Sequence, residues 1–245
     1  MYMTRFPINL TLRESRAMLA SPYRLHAAVA GSFPPGHASE GRVLWRVDAA
    51  PEGGRNLLIV SPEVPDLRGL NEQIGWESPR WLTADYAPFL ASIKVGQVYR
   101  FRLRANPVVS RPGIRGGSGR SKRIAHLTPL QQEAWLVGAA AFESAGKEVP
   151  ELFPRSPTTR AGRAGFAVET DPQTGLFRLR VSDSRKERFS AGRSGRQITL
   201  STAVYDGVLR VTDEKALRHA LVSGIGRAKG FGCGLLTLSR LQPDG

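Results

Sequence analysis

A single cysteine, Cys233, and four histidines (His26, His37, His126 and His219) are all that 245 residues offer of the softer metal and redox ligands. One thiol excludes an internal disulfide and a thiolate zinc site, and the histidines show neither HxxxH nor HExxH spacing. No compact Asp/Glu cluster of the two-metal type is visible, so no metal and no cofactor are expected. Long apolar runs are also missing. Nothing approaches the roughly 18 to 20 apolar residues of a membrane span, and the opening MYMTRFPINL lacks the h-region of a signal peptide. A cytoplasmic protein without membrane contact is the expectation.

Negative charge is the other scarcity: 21 Asp+Glu stand against 35 Lys+Arg, a net charge of +14. The excess is uneven, about +1 over residues 1–95 and +13 over 96–245. Of the basic residues 29 are Arg, whose planar fork suits bidentate phosphate contacts and stacking on bases. A chain 41% apolar can bury a core, which excludes a disordered basic tail and makes nucleic acid the leading partner.

Two basic regions stand out. Arg111, Arg115, Arg120, Lys122 and Arg123 lie in a Gly/Ser-rich run without an acid, which reads as a mobile phosphate-gripping loop or a solvated linker. Arg160, Arg163, Arg185, Lys186, Arg188 and Arg193 read as turn residues between strands, placed to reach phosphates.

The pattern of elements predicts an α+β fold. Strand 3–10 leads to helices from Thr11 to about Ala20 and from Pro22 to about Gly31, the second capped by Ser21. Strands 42–48 and 56–61 form a hairpin, followed by a short helix at 66–75 and an edge strand before Lys94. The second half repeats the order, with a strand at 97–106 and a helix opening on the capping box Thr128-Pro-Leu-Gln131 and running to about Ala145. Strands at 164–170, 176–182 and 197–205, a helix at 213–223 and a closing strand at 234–241 complete it. The prediction is two tandem ferredoxin-like (RRM-like, βαββαβ) domains, residues 1–94 and 95–245.

Two motifs carry chemistry. Tyr23 and His26 sit one helical turn apart beside the stripe Leu25/Ala28/Val29, so the imidazole either borders a cleft or packs, and spacing leaves both open. Gly224-Ile-Gly-Arg-Ala-Lys-Gly-Phe-Gly-Cys-Gly234 inserts Arg227 and Lys229 among alternating glycines, a loop whose backbone can approach an anion. It runs from helix to strand without GK[ST], which excludes Walker and dinucleotide loops. Phe231 and Cys233 read as packing residues.

Ser21-Pro-Tyr-Arg-Leu-His26 with Phe33-Pro34, Arg42 to Asp48, Tyr99 to Pro107 leading to Lys122-Arg123, and Gly224 to Leu236 together resemble the CasE-type repeat-RNA endoribonucleases of type I-E CRISPR systems. The resemblance spans essentially the whole chain. It implies two ferredoxin-like domains, cleavage of the CRISPR repeat RNA hairpin in precursor transcripts, and retention of the guide within a multisubunit surveillance complex. It also implies that His26 and Tyr23 are the catalytic pair, and that Arg24 and the basic residues above, with Arg227 and Lys229, contact RNA. Ala27 to Ser32 departs from members with a basic residue soon after the histidine. The implied reaction is metal-independent attack of a 2′-OH on the adjacent phosphate, His26 serving as general acid and Tyr23 orienting the substrate. A non-catalytic structured-RNA-binding subunit and a ribosome-associated scaffold are the competing readings.

Overall fold

The computed structural model describes residues 1–34, 42–115, 121–144, 146, 159–192 and 195–241, and of 110–115, 121–123 and 144 the main chain alone. In chain order the first half comprises β1 (Tyr2–Ile8), α1 (Arg13–Leu19), α2 (Pro22–Ala30), β2 (Leu44–Ala49), β3 (Arg55–Ser61), α3 (Arg68–Ile74), β4 (Leu82–Asp85) and α4 (Ala87–Ser92). Period-two burial of Thr4, Phe6 and Ile8 puts one face of β1 inward. Phe6 and Ile8 pack in one cluster with Met18 of α1, Leu25 and Val29 of α2, and Leu70 and Ile74 of α3. The four strands make an antiparallel sheet in the order β2-β3-β1-β4.

The second half comprises β5 (Val98–Ala105), β6 (Val108–Arg115), β7 (Ser121–Ala125), α5 (Pro129–Val137), α6 (Ala139–Ser144), α7 (Arg160–Arg163), β8 (Phe166–Val168), β9 (Leu179–Ala191), β10 (Arg196–Val211), α8 (Glu214–Ser223) and β11 (Leu236–Arg240). Its sheet runs β11-β5-β10-β8, with β9 also paired antiparallel to β10. This is a mixed α/β fold built on antiparallel sheets.

Three expectations are corrected. The Arg111–Arg123 run is not a loop throughout: β6 and β7 pair as a two-stranded hairpin, with Arg111 opposite Lys122. Backbone pairing asks nothing of the side chains, so a polar, glycine-rich run carries no hydrophobic signal of it. The helix expected to run unbroken to about Ala145 divides at Gly138, whose φ of 87° and whose missing Cβ, which would lie 2.4 Å from Thr159 Cγ2, let α7's N-cap approach. Arg185, Lys186 and Arg188 stand on β9 itself rather than on turns; β9 is largely solvent-exposed along this stretch, so hydrophobic alternation fails to announce it.

The two halves are joined by arginines, of which Arg46 is buried. Arg46 of β2 is 1% exposed and spends all five N–H groups. It donates to Asp48 Oδ1 and Oδ2 at 2.7 Å each, to the carbonyls of Arg102 (2.9 Å) and Leu235 (2.7 Å), and to Thr237 Oγ1 (2.7 Å). Arg218 of α8 donates to the carbonyls of Leu90 and Ile93 behind α4. Leu44, Val60, Tyr86 and Ile93 of the first half enter one apolar cluster with Phe101, Leu103, Leu209 and Leu221 of the second.

Candidate active site and nucleic-acid interface

The histidine is placed by a local cap and a distant loop. Ser21 Oγ accepts from Arg24 N (3.4 Å), Pro22 occupies the first position of α2, and Leu25 and Val29 face the core. Tyr23 is thereby turned to solvent, 37% exposed, and His26 lies half-buried at the edge of the stripe. Against His26 packs the glycine loop, which makes a 3-10 turn at Lys229–Phe231 between left-handed Ala228 and Gly232. Phe231 stands edge-on to His26 (centroids 6.3 Å, 67°) and to Phe189 of β9 (5.1 Å, 63°). A Cβ on Gly230 would lie 3.6 Å from both Nε2 and Cε1 of His26, so the loop passes that edge of the ring without placing a side chain on it there. Burial disfavours the imidazolium and lowers the His26 pKa below 6.5.

The other end of the same loop meets a cluster of cations. A Cβ on Gly226 would touch the Trp135 ring at 3.3 Å, and Arg160 Cζ lies 4.4 Å from the centroid of that ring, its Nη2 donating to Val108 O (3.2 Å). Burial first, then the neighbouring Arg163 and Arg227, hold Arg160 below the usual guanidinium range. Burial and Arg160 together push His126 down to about 4. Exposed Arg227 makes no hydrogen bond or ion pair among the described residues. Like charges gathered this closely gain from an anion between them. The loop thus has a cation cluster at Gly226 and the imidazole at Gly230.

The family described as CRISPR associated protein matches residues 1–240. The chain belongs to it, as a CasE-type protein. The CRISPR-associated endoribonuclease Cse3 of Thermus thermophilus is 30% identical over 251 residues, 98% of this chain and 100% of the relative. The CRISPR system Cascade subunit CasE of Escherichia coli K-12 is 26% identical over 236 residues, 93% and 96% of the two chains. Among solved structures, Thermus thermophilus Cse3 bound to an RNA representing a pre-cleavage complex aligns with TM-score 0.72 at 24% identity, covering 97% of this chain and 98% of that one. Cas6e of Escherichia coli K-12 aligns with TM-score 0.58 at 23% identity, covering 98% and 100%.

In this CasE-type chain the remaining basic candidates divide by what they touch. Arg24 is ion-paired to Glu14 of α1, and Arg185 to Asp183. Lys186 and Arg188 are exposed on β9, and Arg185 and Arg188 line a groove of about 770 Å³ between β9 and the α1–α2 corner. Lys229 already has a partner within the chain: its Nζ donates to Ser223 O at the end of α8 (2.6 Å). That bond supplies the reason for a cation there that the sequence alone left to an anion. Arg111, Arg115, Lys122 and Arg123 belong to the β6–β7 hairpin by main chain, and Arg120 and Arg193 lie outside the described residues.

Sequence reasoning missed Trp135 as the platform for Arg160, and took Phe231 for packing without its being packed on the histidine. It also missed Arg104 of β5, whose Nη1 donates to the carbonyls of Phe231 (3.3 Å) and Gly232 (3.4 Å) while Nη2 donates to Glu187 Oε1 of β9 (2.5 Å). Its signal was the alternation Arg100, Arg102, Arg104 on one face of a strand, which reads equally as a solvated face.

Proposed function

We propose that this CasE-type protein is a metal-independent endoribonuclease that cleaves the repeat hairpin of precursor CRISPR transcripts and remains bound to the product as a cytoplasmic subunit of a surveillance complex. The observation that carries the proposal is the continuity of the glycine loop, with the Arg160/Arg163/Arg227 cluster at one end and the half-buried ring of His26 at the other. The curated relatives named as a CRISPR-associated endoribonuclease and a Cascade subunit support the same activity and assembly. No helix among the described residues is long and apolar enough to cross a membrane.

Each half is read as a ferredoxin-like domain, with the boundary between residues 94 and 95. In support, the first strand of each half lies centrally, β1 between β3 and β4, and β5 between β10 and β11, with antiparallel neighbours throughout.

Cations of the cluster grip stem phosphates, fixing register without reading sequence, and the scissile phosphate comes to His26. The 2′-oxygen forms a bond to phosphorus as the bond to the 5′-oxygen breaks. The 2′-OH proton passes to solvent, His26 supplies a proton to the leaving oxygen, and Tyr23, exposed one turn before it, orients the nucleotide. The products are a 5′-OH and a 2′,3′-cyclic phosphate, which can open to a 3′-phosphate. The loss of burial-free hydration that lowers the His26 pKa is offset by a bound phosphate, whose charge favours the imidazolium.

Single-turnover cleavage of the repeat hairpin from the protein's own CRISPR array, in EDTA, tests this. The expected outcome is undiminished cutting with 5′-OH ends and an affinity that falls steeply with salt. Tight binding without any cutting identifies a non-catalytic RNA-binding subunit instead.

Gly230→Ala probes the Nε2 edge of His26. Gly230 needs no left-handed φ and its Cβ would meet His26 at ordinary contact distance, so the variant is expected to fold and bind normally. Its methyl crowds Nε2, and cleavage is expected to fall by about tenfold or more, since small displacements of reacting groups carry costs of that order. Unimpaired cutting would show that Nε2 is approached from elsewhere.

A further inference from the structure

Arg104 makes its bonds to the loop that packs against the histidine and to β9, and not to the histidine itself. It projects from β5, its side chain 15% exposed, and bridges two elements far apart in sequence. One guanidinium nitrogen holds the carbonyls of Phe231 and Gly232, and the other holds Glu187. The second carboxylate oxygen of Glu187 is buried with no hydrogen-bond partner among the described residues, so Arg104 carries the neutralisation of that group. In this poorly hydrated setting the ion pair is geometrically demanding.

The consequence lies one residue along. The main-chain carbonyl that Arg104 grips belongs to Phe231, and the ring of Phe231 fills the space between His26 and Phe189. Gly232 is packed closely on the other side: a Cβ there would lie 2.6 Å from Trp45 Cζ3. Glu187, in turn, sits on β9 between the exposed cations Lys186 and Arg188. A strap therefore runs from the basic strand through Arg104 and the Phe231 carbonyl to the imidazole.

We propose that Arg104 is a positioning residue for His26: by strapping the glycine loop to β9 it sets the place of the Phe231 ring, and through it the orientation and shielding of the imidazole. This rests on His26 being the proton-transfer group. The ionisable groups on the elements about His26 include Tyr23 and Arg24 on α2, Arg227 and Lys229 in the loop with Arg42 acting on Lys229, Arg104 on β5, and Asp183, Arg185, Lys186, Glu187 and Arg188 on β9. Burial is the cause that displaces the His26 titration, and the Phe231 ring is part of that burial.

The experiment compares Arg104→Met, Arg104→Lys, Glu187→Gln and Phe231→Leu with the unmodified full-length chain. Three quantities are read: the NMR titration of the His26 ring, assigned by its disappearance in His26→Ala; the pH profile of single-turnover hairpin cleavage; and hairpin affinity. Arg104→Met and Phe231→Leu are expected to raise the His26 pKa toward the unperturbed value of about 6.5 and to move the pH limb with it. Cleavage falls about 10- to 100-fold at constant affinity, and Arg104→Lys recovers part of the loss. If Arg104→Met does not fold, Glu187→Gln, which removes the anchor of the strap, and Phe231→Leu decide by the same readings.

A His26 titration and pH profile that superimpose on the unmodified protein's in these variants overturn the inference. A His26→Ala protein that cuts normally overturns the catalytic reading beneath it. A dead His26→Ala with unmoved titrations in the strap variants overturns the strap alone.

Discussion

His26→Ala is expected to slow single-turnover cleavage of the repeat hairpin by about 10²- to 10⁴-fold, the range of a lost general acid, while hairpin affinity stays within about threefold. The asymmetry follows from placement. In the proposed mechanism His26 contributes one proton and a partly buried ring, whereas affinity would rest on phosphate contacts of cations elsewhere, the proposed contacts of Arg160, Arg163 and Arg227 among them. Tyr23→Phe, which keeps the ring and removes one exposed hydroxyl, should cost less than the histidine does. The sign of the pH dependence separates the two roles open to an imidazole. As the acid, His26 must enter the reaction protonated, so the rate falls as pH rises through its pKa in the RNA complex. A rate that instead rises with pH through that pKa would make His26 the base, and equal cutting by His26→Ala and the unmodified chain would remove it from the mechanism.

Arg46→Ala is expected to destabilise the chain by about 3–5 kcal/mol, the usual cost of removing one partner from a buried ion pair. The truncation leaves Asp48 without its bidentate partner, and the Arg102 and Leu235 carbonyls and Thr237 Oγ1 without their Arg46 bonds. Arg46→Lys is expected to recover little, because an ammonium offers three donors where the planar fork offers five. Urea unfolding of the three proteins measures it, and a loss below about 1 kcal/mol for Arg46→Ala would mean that the apolar cluster alone holds the sheets together. Function should suffer as well. Arg46 adjoins Trp45, which packs against Gly232, so loosening β2 disturbs the loop that shelters His26.

Local signals in the sequence were reliable because their physics is local. The Ser21–Pro22 start, the reciprocal capping box of Thr128 and Gln131, and the Gly224 stop after the last helix depend on residues within one turn, and each stands where the pattern placed it. The charge imbalance is legible for a similar reason: the excess over residues 96–245 is a count, and composition needs no coordinates. Failures came where a side chain's meaning depends on a strand far along the chain. Arg46 reads as the polar position of an alternating strand, but its acceptors Leu235 and Thr237 lie 189 and 191 residues away. Lys229 reads as an anion ligand, and the hydrogen bond it donates to Ser223 O gives it a role within the fold that no local pattern shows.

The sequence by itself determined the helix that presents Tyr23 and His26, the glycine loop, the sign and place of the charge, and the CasE-type resemblance. Each is a property of neighbours within a few residues, of simple counts or, for the resemblance, of short motifs in a fixed order along the chain. Tertiary structure alone decided that the loop's two ends join the cation cluster to the histidine, that Phe231 shelters the imidazole, and that Arg46 and Arg104 belong to the interior. Those outcomes turn on which distant backbone carbonyls and carboxylates a guanidinium meets once the sheets have paired. A guanidinium is the same group whether water or protein saturates its five donors, so no local pattern distinguishes the two before the chain has folded.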